Sequence, residues 1–495
     1  MSKKVIIVGA GIGGLAAGIR LLSRGYEVEI FEKEASIGGK IQPLKAGDFN
    51  FDLTASILMT PGVYQELFTW ANKDYTDYLD FIKLDPNYRV HYEDGTNIDF
   101  SSNLADLTKT LEKISLDDSL GFIKFLSDLY ERYIIADKNF FQKSFQNPSD
   151  LLKPSTLWNS LKLHTLSTPY SLISSYVESE KLREFLSFQA MYIGISPFNG
   201  PNIYALIPAI SELYGLWHLK GGLYSYIKAM GKLINEFGGL VRTNSTVEEI
   251  LISHGKAVGV KTSTGIEYGD IVICNADFPY AMKNLIRNEK HKGKYTDDKL
   301  ENLKYSCSNF VIYLGLKKKY PVLKVHNHYI GSSFRDNCEA AFEGILPKEP
   351  PIYFYCPSVI DDSMAPNDKD CLSIYVRVPN LFFNEIRWNE NTIKTLRKRV
   401  FSMLSKIKGL EDIEENIEYE SYLTPEDIKS RFNSYGGTSY GLSPTLMQTI
   451  YFRPHVKSED VENLYFVGSS IQPGPGASIV LIGSKLVAEE IMKNQ

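Results

Sequence analysis

The chain is poor in several residues that would settle its class quickly. It has 5 cysteines, 4 tryptophans and 8 histidines among 495 residues. The cysteines (Cys274, Cys307, Cys338, Cys356 and Cys371) are odd in number and form no CxxC pair. A disulfide framework is therefore not expected; reduced thiols in a cytoplasmic protein are. Basic residues do not exceed acidic ones, 54 against 59, for a net charge of −5. That balance excludes the electrostatic footprint of a nucleic-acid binder. No uncharged run reaches the ~20 residues of a spanning helix. The run from Val5 to Ile19 behind Lys3-Lys4 mimics a signal peptide. Its glycine spacing, and the strand-like Glu27 to Phe31 after it, fit a folded βαβ start instead. No repeat, low-complexity tract or obvious linker divides the chain. No Ser-His-Asp or paired-carboxylate signature is evident, so the catalytic residues stay unknown. His326-Asn327-His328 sets two imidazoles on one face of a strand. No third ligand lies at a nearby spacing, and no metal is expected.

What is present is ordinary in bulk and specific in places. Apolar residues make up 43% and charged residues 23%, which is globular composition. The length allows one large interleaved unit or two to three domains. Aromatics reach 12%, with 31 Tyr and 26 Phe. That fits either a Tyr-rich core and surface or a large apolar cavity.

The specific stretch is VGAGIGGL, residues 8 to 15. It stands between the apolar run Val5 to Val8 and an Ala-rich helical pattern. Gly9, Gly11 and Gly14 form G-x-G-x-x-G. The first permits a tight turn, the second lets the backbone approach a pyrophosphate, and the third lets helix and strand pack closely. Gly13 adds further freedom. Phosphates would sit on the free N–H groups of the helix N-terminus. Glu32 ends the second strand, eighteen residues past Gly14, where a carboxylate accepts hydrogen bonds from ribose hydroxyls. NAD and FAD share this fingerprint. A second glycine turn, Ile37-Gly38-Gly39-Lys40, suits a cofactor that reaches past the pyrophosphate.

Further along, residues 41 to about 95 alternate as strands, and 104 to 190 look helical. Leu120 to Ile135 carries apolar residues at helical spacing, more in keeping with core packing than with a membrane face. Residues 224 to 237 read as a helix, and 238 to 250 as a strand, a turn and a second strand near Val247. Residues 270 to 276 read as a buried strand, and 281 to about 420 as mixed α/β. Residues 463 to 468 form a strand ending in Gly468, and a helix runs from Ile479 to Met492. This last unit makes sense if it returns to the N-terminal sheet and aims a second helix N-terminus at the same cofactor.

Together these residues resemble the bacterial carotenoid (phytoene-type) desaturases, end to end. The carriers are the Gly9–Glu32 unit, Gly38-Gly39-Lys40, Phe51 to Ser56, Lys220-Gly221-Gly222, Asn275-Ala276-Asp277 and Val467 to Gly476. Residues 188 to 195, 276 to 279, 306 to 308 and 440 to 446 look closest to the dehydrosqualene (4,4'-diapophytoene) branch. There are departures: Gln472 replaces a usual His, Ser478 stands where a Pro often falls, and Asp52 to Ser56 lacks the usual Gly-Pro.

The resemblance implies an α/β fold. A Rossmann-type FAD-binding domain like that of amine oxidases would carry an inserted mixed substrate domain and a helical, membrane-associated region. The expected division is 1–95 with 206–280 and 421–495 for FAD, 96–205 for the helical insertion, and 281–420 for the substrate domain. FAD would be held by Gly9, Gly11, Gly13, Gly14, Glu32, Lys33, Gly39, Lys40, Val247, Gly468, Gly476 and Ile479. In the resembled proteins Lys40 lies near flavin and phosphates, and the backbone at Val247 holds the adenine end.

The implied activity is FAD-dependent desaturation of 15-cis-4,4'-diapophytoene towards 4,4'-diaponeurosporene. The implied partners are a hydrophobic polyene, a membrane surface on the cytoplasmic side, and quinone or oxygen as electron acceptor. Lys317 to Lys319 and Lys290 to Lys294 are candidates to touch anionic lipid, or solvated turns. A C30 terminal-methyl oxygenase, an amine oxidase and a non-catalytic prenyl-binding escort protein share the fold and remain open here.

Overall fold

The computed structural model describes residues 2–163 and 166–494. The Val/Ile run of Lys4–Val8 is buried on both faces, which is the environment of a central parallel strand. It pairs in parallel with Glu27–Phe31 on one side and Ile271–Cys274 on the other. Leu240–Arg242 and Leu464–Phe466 complete a five-stranded sheet. Helix Ile12–Leu22 packs against Ala477–Lys493 and Tyr224–Glu236. The C-terminal strand and helix do return to the N-terminal sheet, because Val272 to Cys274 have their second edge filled by Leu464 to Phe466.

A second sheet has seven strands, in the order Ile417–Leu423, Ser308–Leu316, Asp370–Val378, Ile352–Tyr355, His326–Ile330, Tyr88–Tyr92 and Asn97–Phe100. Its two faces differ by the period-2 alternation of side chains. Phe310, Ile312, Leu314, Leu372, Ile374 and Val376 face helix Glu390–Leu404 through its Leu396, Val400 and Leu404. Val311, Tyr313, Tyr353, Tyr355 and Tyr375 face the opposite way, toward the rest of the molecule.

Pairing, not local pattern, draws the boundaries of this sheet. Tyr88–Tyr92 lies parallel to His326–Ile330, and Ile417–Leu423 lies against Ser308–Leu316. Tyr88–Tyr92, inside the stretch expected for FAD, thus belongs to this second sheet, and Ile417–Leu423 spans the expected division at 421. The stretch 41 to about 95, whose alternating segments read as strands, also contains a helix, Pro61–Trp70. Pro61 opens it, and Tyr64, Leu67 and Phe68 fall on one buried face.

The helical insertion is built round Leu116–Ala136, whose Phe122, Phe125, Leu126 and Leu129 are core. Its other face leaves Leu116 and Leu120 each 63% exposed. No described helix is long and apolar enough to cross a membrane.

Asp52 closes strand Phe49–Asp52 and links the seven-stranded sheet to the turn before helix Tyr224–Glu236. Its carboxylate accepts from the Leu223 backbone N–H at 2.9 Å and from Tyr355 Oη at 3.3 Å. Burial pushes its pKa from 3.8 up to about 6. A raised carboxylate pKa means that the folded state holds the proton more tightly, so this contribution is lost as pH rises from 3.8 through about 6. Asp52→Asn removes it. Urea denaturation should show the variant gaining on the wild type between pH 4 and pH 7, by no more than roughly 3 kcal/mol.

Candidate functional site

The site begins where strand Lys4–Val8 turns into helix Ile12–Leu22. Gly9 has φ +92°, a region that favours glycine. The Gly9 N–H donates to the Phe31 carbonyl, and the Asn275 side chain donates back to the Gly9 carbonyl at 3.1 Å. A Cβ on Gly13 would lie 2.7 Å from Asn275 Oδ1 and 2.9 Å from Val480 Cγ1. A Cβ on Gly14 would overlap the Gly9 carbonyl oxygen. No side chain caps this helix, and its first turn carries no acidic residue. Helix Ala477–Lys493 begins the same way at Gly476, with no side-chain cap and no acid. Two bare, positive helix ends therefore open onto one space.

That space is a cavity of about 620 Å³, within the range of a ligand site. Gly9, Gly11, Gly13, Glu32, Lys33, Gly39, Lys40, Val247, Gly468, Gly476 and Ile479 all line it. Gly14 is the exception; it lies beneath, where helix and strand touch. Glu32 is held by the N–H groups of Ala10 at 2.8 Å and Glu34 at 3.0 Å. Burial raises its pKa, and those two donors oppose the rise. Burial likewise lowers the pKa of Lys40, which donates to the Ser439 carbonyl at 2.9 Å. Asp277 is raised by burial and held back by Lys40, the opposite charge near it. The fit to FAD rests on the cradle: glycines where Cβ atoms would collide, two uncapped helix ends and a positioned carboxylate.

The rest of the cavity wall carries no motif. Tyr353 and Tyr375 face in from the seven-stranded sheet, and Tyr192 from the turn after helix Glu180–Phe188. Arg377 pairs across the sheet with Asn309 and donates to its Oδ1 at 2.7 Å and to the Met191 carbonyl at 3.1 Å. No carboxylate among the described residues forms an ion pair with it. The helical insertion contributes Tyr133, Asp137 and Phe141. The one sequence signal for the sheet residues is spacing: Tyr353 and Tyr355, or Tyr375 and Arg377, alternate within runs that are buried on both faces.

Gln472, which stands where the resembled proteins usually have a His, turns away from the cavity. Its amide donates to the Phe145 and Ile450 carbonyls at 3.0 and 2.8 Å and accepts from the Phe145 N–H at 3.2 Å. A side chain with both donor and acceptor suits this backbone clip, which ties the insertion to the C-terminal loop. His326 and His328 are occupied by tyrosine hydroxyls. Among the described residues no three His, Cys, Asp or Glu side chains form a metal-holding group.

A family model described as flavin containing amine oxidoreductase matches residues 12–479. The chain is 38% identical over 494 residues to a 4,4'-diapophytoene desaturase (4,4'-diaponeurosporene-forming) of Staphylococcus haemolyticus, covering 99% of each chain. It is 35% identical over 496 residues to the protein of the same description from Staphylococcus aureus strain Newman, again over 99% of each. Among solved structures, an oxidoreductase from Methanosarcina mazei superposes with a TM-score of 0.65 at 18% identity, over 99% of this chain and 100% of that one. That likeness extends the fold and nothing more.

Glu32→Ala strips the acceptor from two backbone N–H groups and the carboxylate from the cavity. Its FAD affinity should fall roughly 10- to 100-fold, read from the fluorescence of flavin released on serial dilution. Unchanged retention would remove Glu32 from the site.

Proposed function

The chain belongs to the flavin-containing amine oxidoreductase family, and from that premise we propose that it is an FAD-dependent 4,4'-diapophytoene desaturase. It converts 15-cis-4,4'-diapophytoene towards 4,4'-diaponeurosporene. The observation that carries this is end-to-end kinship with desaturases of that substrate, in a chain with a cavity that joins the glycine cradle to an aromatic wall. Bound FAD supplies the two-electron acceptor for hydride. In this assignment the N-terminal ends of the two helices take the pyrophosphate, Glu32 the ribose, and the strand at Val247 the adenine end. Lys40, Gly39, Gly468, Gly476 and Ile479 surround the flavin half, and Lys33 borders the adenosine side.

The substrate's physics supports a peripheral place on the cytoplasmic side of the cell membrane. Moving a thirty-carbon chain into water costs on the order of 20 kcal/mol at ~0.8 kcal/mol per CH₂. It must be collected from lipid. The insertion that lines part of the cavity also leaves Leu116, Leu120, Leu152 and Trp158 exposed, each by more than 60%. These side chains suit shallow burial at a lipid interface. The lysine clusters suit it less. Lys318 pairs with Asp412, Lys292 with Glu289 and Asp297, and Lys294 with Glu459. Those charges are already answered by protein. Quinone or oxygen reoxidises the flavin in this reading.

Two measurements test it. Purified protein with FAD and a quinone, on liposomes holding 15-cis-4,4'-diapophytoene, should yield a multi-peaked polyene band above about 400 nm in the lipid extract. No band, with flavin bound and protein on the liposomes, overturns the substrate; oxygen in the product mass moves the activity to terminal-methyl oxidation. Separately, the triple variant Leu116→Glu, Leu120→Glu, Trp158→Glu should cosediment with liposomes at least roughly tenfold less than the wild type. Equal sedimentation would place the docking face elsewhere.

A further inference from the structure

Desaturation removes a proton as well as a hydride, and nothing above says where the proton goes. Behind the aromatic wall lies a set of buried polar groups that FAD and an apolar substrate leave unused. Two cavity-lining tyrosines are each bonded to an imidazole on strand His326–Ile330. Tyr353 Oη is 2.8 Å from His326 Nδ1, and Tyr192 Oη is 2.8 Å from His328 Nε2. On its cavity side Tyr353 Oη also meets Ser56 Oγ at 2.9 Å. In both pairs the second ring nitrogen, His326 Nε2 and His328 Nδ1, is buried without a hydrogen-bond partner.

The next strand of the sheet continues the series. Tyr88 has its ring 6.0 Å from His326 and 5.4 Å from His328. Its hydroxyl lies near enough to Tyr192, Ser211 and Glu212 to be influenced by them, yet no well-formed bond reaches it. Glu212 is half-buried on helix Leu206–Tyr214. One carboxyl oxygen accepts from Asn87 Nδ2 at 3.1 Å and the other has no partner. Four neighbouring buried polar atoms without partners mark a place for water.

We propose that the pairs Tyr353–His326 and Tyr192–His328, with Tyr88 and Glu212, conduct the proton released in desaturation sideways across the sheet from the cavity to the surface. The inference rests on the desaturase reading above. The balance is simple. The hydrogen and electron pair of one C–H bond would go to bound FAD. The adjacent C–H electron pair becomes the new π bond, and its proton bonds to a tyrosine oxygen. That tyrosine passes its own proton to the imidazole nitrogen it faces. The other ring N–H gives a proton to water, and Glu212 hands it to bulk solvent. Burial holds both imidazoles well below the usual histidine pKa, His326 at about 3. Both are therefore neutral, with one donor and one acceptor nitrogen, which is the form that passes a proton without keeping it. Burial also pushes Glu212 up to about 8, within reach of both protonation states near neutrality.

The test uses the FAD-loaded chain mixed anaerobically with saturating diapophytoene in detergent micelles, in H₂O and in D₂O. Flavin bleaching and proton release to a pH indicator are followed together. The wild type should release one proton per flavin reduced, with a solvent isotope effect on bleaching. Tyr353→Phe combined with Tyr192→Phe should slow bleaching roughly 100-fold, abolish the isotope effect and leave substrate affinity unchanged. Glu212→Gln should delay proton release relative to bleaching. Retained FAD and melting temperature identify a variant that has folded. Nitrogen-15 NMR of histidine in the wild type gives a readout without substrate: His326 and His328 should stay neutral down to pH 5, each with one protonated ring nitrogen. A double variant that bleaches at the wild-type rate with the same isotope effect overturns the relay, as does a charged imidazole at pH 7. A wild type whose flavin stays oxidised overturns the substrate assignment instead.

Discussion

The rest of the molecule is arranged round one close approach of backbone, the turn from strand Lys4–Val8 into helix Ile12–Leu22. At Gly14 a methyl group would meet the Gly9 carbonyl, and at Gly13 it would meet Asn275 and Val480. The helix can lie that near the sheet, and leave its N-terminal N–H groups bare, because no side chain stands between. Asn275 answers the Gly9 carbonyl that the turn exposes. The C-terminal helix Ala477–Lys493 uses the contact so created to bring a second bare N-terminus to the same space. A residue over four hundred positions from the turn thus shares its cavity.

The seven-stranded sheet solves a different problem, which is how to wall a cavity with something apolar in bulk and polar at its tips. One face is mostly aliphatic, with Phe310 and Phe354 among it, and is sealed by helix Glu390–Leu404. The other is built of tyrosines, each of which buries a large ring and still offers a hydroxyl. Buried hydroxyls need partners; those of Tyr353, Tyr192 and Tyr355 find them in Ser56, His326, His328, His218 and Asp52, whereas those of Tyr375 and Tyr88 make no well-formed bond. The abundance of Tyr in the composition is thus partly explained as wall material. Polarity sits beside the space and not across it, which leaves room for an apolar guest.

Charge is managed by separation. In the lysine clusters Lys292, Lys294, Lys318 and Lys319 are paired with acids, whereas Lys40, Asp277 and Arg377 line the cavity, where burial moves the first two away from their usual pKa values. The helical insertion is tied to this region by Gln472, whose amide clips the backbone at Phe145. The departure from a His at that position is explained by that clip; it places no group toward the cavity.

The local sequence determined the parts whose physics is local. A strand, a glycine turn, an uncapped helix and an acidic strand end are each short-range features, so Gly9 to Glu32 was legible from spacing. The apolar run Val5 to Val8 was legible as a strand for the same reason. Tertiary structure decided what depends on pairing between distant segments. Tyr88–Tyr92 joined the second sheet because His326–Ile330 offered it an edge, although its own pattern fits any half-buried strand. Pro61–Trp70 became a helix because Tyr64, Leu67 and Phe68 had a surface to cover. The tyrosine–imidazole pairs are set by tertiary packing and by hydroxyls that must be satisfied once buried; no single strand encodes them, since Tyr353 lies on the strand beside His326 and Tyr192 on the turn after helix Glu180–Phe188.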